Sequence, residues 1–298
     1  MKPLQLQARS MARNEIWAIM PEVLRDLLAG LSAESIVEAA RDADLQAVSR
    51  PGPKSGGVAR VPIIGRIDHR DSFWSMFVGG GGATVERLTQ TLRGLGADPS
   101  ISTVLLEVDS PGGAVSGIPE LAAEVRSLAA KKHVVAVANS LCASAAYWIA
   151  SQADEIVATP EAQVGSIGVF TWHDDYSQAM EQAGIKTTYI SAGKFKTEAN
   201  PDEPLTDEAR AHLQTLVDSA YGLFVGEVAK GRGVTPAQVR SDYGQGRVLT
   251  AQAAKEAGLI DRIATADETL RRLAGQRAET FEGERLANLK RRLDLAEL

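Results

Sequence analysis

Between Val58 and Ile263, short runs of branched apolar residues alternate with helix-length amphipathic segments. VARVPIIGRI, STVLLEVDS, HVVAVAN and DEIVAT are runs of the first kind. TVERLTQTLRGL and the stretch from Ile118 to Ala130 are of the second kind. Strands this uniformly apolar are covered on both faces, and strand–helix alternation supplies the cover. The pattern therefore predicts an α/β fold with a parallel sheet.

The same reading divides the chain. Ile16, Ile19, Met20, Val23, Leu24, Leu27 and Leu28 recur at helical spacing and predict a helix over Glu15 to Leu31. A second helix is expected at about Ala33 to Ala43. The breaker-rich stretch from Ser49 to Gly57 then closes an N-terminal helical arm, residues 1–50. The main domain is expected over 56–265, and a charged helical tail over 266–298. Within the domain, Phe73 to Val78 is apolar without period and is followed by four glycines, Gly79 to Gly82. It reads as a flap on a glycine hinge. Further on, a helix at Tyr176 to Ala183, a strand at KTTYIS (186–191) and a long helix at about Thr206 to Lys230 are expected.

Composition excludes several function classes. A net charge of −6 argues against a broad nucleic-acid surface. Cys142 is the only cysteine, so no intramolecular disulfide or cysteine-rich metal cluster can form. No segment approaches the roughly 20 apolar residues of a membrane span. The N-terminus also lacks a signal-peptide apolar run. A soluble, cytoplasmic protein with no metal and no cofactor is expected.

Three short motifs carry chemistry. Ser110-Pro111-Gly112-Gly113 follows a buried strand, and such a turn can aim backbone N–H groups at an oxyanion. Ser144 stands among small residues where a helix should begin, as either a cap or a nucleophile. Gly165-Ser166-Ile167-Gly168-Val169 sets a hydroxyl between glycines. None of the four histidines sits in a triad motif, so a lysine is the alternative base. Lys194 and Lys196, in Ser191 to Thr197, are the candidates, and two residues apart on a strand they would share a face.

In this order, SPGG, Ser144 followed by small residues and YWIAS, GSIGV and GKFK resemble the signal peptide peptidase A family of serine peptidases. The resemblance covers about Val58 to Ile263. It implies a Clp protease/crotonase-like spiral of ββα units, assembled as a homo-oligomeric ring. It implies a Ser–Lys dyad with Ser144 as nucleophile and Lys196 as base, spaced as in the family. It further implies Ser166 as the hydroxyl orienting the base, Gly113 and Ala145 as oxyanion-hole amides, and Gly112 as a substrate-binding position. Many members have glycine after the serine, where this chain has Ala145-Ala146. WAIMPEVL, GKFKTEANP and the lack of a membrane anchor are similar to the bacteriophage capsid-assembly branch. Members of that branch cut scaffold or portal-associated proteins, which places such an enzyme in the host cytoplasm or the prohead. The other readings are a cytoplasmic signal-peptide-peptidase-like protease, a crotonase-type acyl-CoA enzyme, and a non-catalytic assembly scaffold of the same fold.

Overall fold

The computed structural model describes residues 9, 10, 12, 13, 15–29, 57–70 and 82–275. The expected helix at 33–43, the flap at 73–78 and the tail beyond 275 lie outside them. In chain order the first elements are β1 (Trp17–Ile19), α1 (Pro21–Ala29), β2 (Val58–Ile64), β3 (Ile67–Asp68), β4 (Ala83–Thr84) and α2 (Val85–Ala97). Then come β5 (Thr103–Ser110), β6 (Gly112–Ala114), α3 (Ile118–Ala129), β7 (His133–Ala143) and α4 (Ala145–Ala150). After these follow β8 (Glu155–Ala158), β9 (Gln163–Gly165), α5 (Ser177–Gln182), α6 (Asp207–Arg232) and α7 (Pro236–Asp242). β10 (Val248–Thr250), α8 (Ala251–Ala257) and β11 (Arg262–Ile263) complete the set, and residues 266–275 are helical.

The fold is α/β, as the alternation predicted. β2, β5 and β7 form a parallel core. The eleven-residue β7 is shared: Val135 to Ala138 pair with β8, and Leu141 to Ala143 pair with β9. Side-chain alternation splits the apolar residues between two faces. Val104, Leu106, Val134 and Ala136 pack under α2, α3 and α4 in the main core. Leu105, Val135, Val137 and Val157 point the other way and meet Leu273 of the last helix. This two-sided burial is why these strands read as continuous apolar runs. Caps fix several helix starts. Thr84, Thr206, Thr235 and Thr250 each accept an N–H from the first turn of the helix they precede.

Two expectations are corrected. The N-terminal segment is not one helix over Glu15 to Leu31. It is a buried strand followed by a helix that begins at Pro21. Proline has no N–H to give a helix interior and is suited to its first position. Trp17–Ile19 instead pair antiparallel with β6, in a second sheet of order β1-β6-β3-β4. KTTYIS is not a strand either: residues 185–196 are all exposed and outside any ladder. Lys194 and Lys196 accordingly lie in a turn, and the shared-face argument does not apply to them.

Candidate active site

Ser144 stands where β7 hands over to α4. Cys142 lies opposite Ser110 of β5, and Ala143 opposite Gly165 of β9, so the ladder fixes both sides of the approach. Ser144 itself has φ 56° and ψ −120°, a region non-glycine residues avoid. Its backbone is held there from both ends. Its N–H donates to Gly165 O at 2.7 Å, and its carbonyl accepts from Trp148 N at 2.9 Å. Although Ser144 occupies the cap position, its side chain makes no capping bond. The hydroxyl makes one long contact, to Gly168 O at 3.4 Å. The sharp elbow thus holds out a hydroxyl that the helix does not use.

The small residues around it have a steric reason. Ala145 and Ala146 are wholly buried. Gly112 has φ 98°, and a methyl group built on it would lie 3.0 Å from Ser144 Cβ and 3.0 Å from Ala145 N. One built on Gly113 would lie 1.8 Å from Ile67 O. The Ser110 hydroxyl, buried beneath, accepts from Gly112 N at 3.2 Å and braces the turn. Ala145 opens α4, so its N–H has no acceptor within the helix. α4 is anchored below by Tyr147, whose hydroxyl donates to Leu259 O at 2.8 Å.

Ser166 is brought close through its neighbour. Gly165 pairs with Ala143, and Ser166, at φ 53° and nearly buried, donates its N–H to Arg247 O at 2.8 Å. Lys196 is not brought to this cluster. It is exposed in the turn at residues 194–199, and among the described residues no hydrogen bond or ion pair joins it to Ser144 or Ser166. Glu198 and Asp202 form no ion pair with it, and Asp202 instead accepts from the Tyr189 hydroxyl at 2.6 Å. Lys194 pairs with Glu208 at 3.1 Å and lies over the Phe195 ring. No histidine is bonded to Ser144: His133 faces Asp154 at 3.9 Å, and His212 is exposed on α6. Cys142 is fully buried, and burial pushes its thiol pKa far up, so it packs as a small apolar group.

Sequence reasoning missed the neighbour on the open side of β6. β1 lies there, with Trp17 opposite Ala114, Ala18 opposite Gly113 and Ile19 opposite Gly112. Ser144 is consequently inaccessible to solvent. Pro21, too far inside the apparent helix to be tolerated, was the sign that could have found it.

The chain matches the sequence profile of peptidase family S49 over residues 126–279, just over half its length. A protein of Methanocaldococcus jannaschii named as a protease is 38% identical over 61% of this chain and 58% of its own. Capsid assembly protease C of Escherichia phage lambda is 30% identical over 86% of this chain and 57% of its own. The head-tail preconnector protein of Enterobacteria phage P21 is 32% identical over 72% and 42%, respectively. The chain thus spans about half the length of the curated relatives it matches. The profile match and the fold agree, and the chain belongs to peptidase family S49.

Proposed function

We propose that the protein is a serine endopeptidase with Ser144 as its nucleophile. The observation that carries this reading is the conformation of Ser144. It is held at positive φ on a strand-to-helix elbow, without a capping bond, against the Gly112 backbone and the Ala145 amide. Strain of this kind gathers at functional sites. Ser144 Oγ attacks the scissile carbonyl, and the Gly113 and Ala145 N–H groups receive the oxyanion. Gly112 lines the path of the substrate backbone. The leaving amine takes up a proton, and water then hydrolyses the acyl-enzyme.

Lys196 is the proposed base, with Ser166 orienting its amine. Within one chain the lysine is exposed while the serine is buried. Ile185, Tyr189, Ile190 and Phe195, in the same exposed segment as Lys196, are exposed apolar side chains. A segment that exposes several large apolar side chains favours self-association. The dyad is therefore completed in a homo-oligomer, where Lys196 of one copy meets Ser144 of another.

The likeness to a phage capsid assembly protease supports a role in head maturation, on scaffold or capsid-associated proteins in the host cytoplasm or prohead. No helix among the described residues is long and apolar enough to cross a membrane. Co-expression with phage capsid and scaffold proteins tests the reading. Mass spectrometry should find defined cleavages in the wild type that are missing in Ser144→Ala. Identical products from both would sink the nucleophile. Cleavage of secretory signal peptides but not of capsid proteins would favour the signal-peptide-peptidase role, and unchanged head assembly with Ser144→Ala would favour a scaffold.

A further inference from the structure

The cleft beside Ser144 is filled by the chain itself. β1 lies between β6 and Phe170 and runs antiparallel to both. On the Phe170 side, Trp17 exchanges both backbone bonds with it, at 2.8 and 2.9 Å. On the β6 side, Val115 N donates to Ile16 O at 2.9 Å, and Met20 N donates to Pro111 O at 3.1 Å. Bonded pairs alternate along an antiparallel ladder. Ala18 and Gly113, midway between those two pairs, are therefore in bonding register, with the Ala18 carbonyl toward the Gly113 amide.

Gly112 gives an independent fix on the same carbonyl. The point where a methyl on Gly112 would sit is 2.2 Å from Ala18 O, 3.0 Å from Ala145 N and 3.0 Å from Ser144 Cβ. Carbonyl, amide and serine gather around one α-carbon. This is how a scissile carbonyl would lie if Ser144 and these amides act as proposed above, a reading on which the present inference rests. In that register Ala18 is the acyl residue and Ile19 the leaving one.

The strand is tethered at both ends. Upstream, Arg9 pairs with Asp174 at 2.6 Å, and the Thr171 hydroxyl donates to Glu15 O at 3.1 Å. The Trp17 indole is 2% exposed and donates to Ala12 O at 2.8 Å. Downstream, Leu24 and Leu28 of α1 join the same apolar cluster. A strand held on both sides of the reactive bond returns to the cleft after any excursion.

We propose that the cleft between β6 and Phe170 is the peptide-binding groove and that residues 16–20 are its resident competitor, seated with the Ala18–Ile19 bond at Ser144. Substrate is then an extended peptide that adds to β6 as a strand and carries a small residue where Ala18 sits. To bind, it must displace the chain's own strand. A groove free only a tenth of the time weakens apparent affinity about tenfold.

The test is a binding measurement on the full-length chain carrying Ser144→Ala, which prevents turnover. The probe is a fluorescent peptide with the sequence of residues 13–21, followed by anisotropy. Adding Arg9→Ala or Trp17→Ala should tighten binding, by about tenfold for Trp17→Ala and less for Arg9→Ala. Circular dichroism reports whether each variant is folded, and Arg9→Ala carries the test if Trp17→Ala is not. Folded variants that bind no more tightly than the parent overturn the proposal. Fluorophosphonate labelling of the Arg9→Ala chain with Ser144 restored, in which the groove is freed, reads the nucleophile separately. Absent labelling with tightened peptide binding would sink Ser144 as nucleophile and leave the groove standing.

Discussion

The Trp148 indole lies flat on the Phe224 ring, with centroids 4.4 Å apart and planes 8° from parallel. Both rings are fully buried, and the stack ties α4, which begins directly after Ser144, to α6. Trp148→Ala should lower stability by about 3–5 kcal/mol, the range for emptying a buried aromatic site. Denaturant melts measure this directly. Peptidase activity should fall in the same variant at temperatures where it remains folded.

Asp261 supplies a pH dependence. Its carboxylate accepts from Arg232 at 2.7 and 3.0 Å and from Ile156 N at 2.7 Å. Burial is the largest single influence and raises its pKa, but the Arg232 bonds, the Ile156 N–H and the Arg232 charge together hold it below the usual carboxylate range. A pKa lowered by folding stabilises above the unfolded value, and that contribution is lost as pH falls through the folded value. Asp261→Asn should therefore flatten the acid limb of the stability profile. At neutral pH it should cost about 1–2 kcal/mol, since the Asp261 side chain is 40% exposed and water screens the pair.

Lys196→Ala should lose about 10²–10⁴-fold in rate, as removal of a general base does. Lys194→Ala should stay within about tenfold, or roughly 1.4 kcal/mol, because Lys194 is already engaged with Glu208 at the surface. Mixing Ser144→Ala with Lys196→Ala chains should restore part of the activity if the dyad forms between copies. Steady-state cleavage of a quenched peptide reads all three, and no restoration on mixing would confine the dyad to one chain.

Gly113→Ala should be inactive and less stable. Its methyl group would be driven to 1.8 Å from Ile67 O, so the turn must shift and carry the Gly113 N–H out of line. Thermal melts and fluorophosphonate labelling measured side by side would show both losses.

Cys142→Ala should keep most activity, because the thiol is buried and burial disfavours its thiolate. Thiol reagents should leave the folded protein unmodified. A loss equal to that of Ser144→Ala would transfer the nucleophile to sulfur.

Most of the fold was legible because β5 and β7 are covered on both faces and read as unbroken apolar runs. SPGG, Ser144 and GSIGV were legible because each punctuates a strand end where glycine or a small residue is required. β1 was not, since three residues cannot declare a period and Ile16, Ile19, Met20, Val23 and Leu24 fit a helix equally well. KTTYIS failed for the opposite reason. Its β-branched and aromatic residues suit a strand, but a strand needs a partner, and sequence does not show whether one is near. The placement of Lys196 relative to Ser144 was illegible on the same grounds.

The backbone of Ser144 carries an evolutionary consequence. A serine held at φ 56° stores on the order of 1–3 kcal/mol that glycine would release. Ser144→Gly would therefore remove the hydroxyl and strengthen the fold in one step. Selection for stability alone would drift toward glycine, so the serine is kept for what its hydroxyl does.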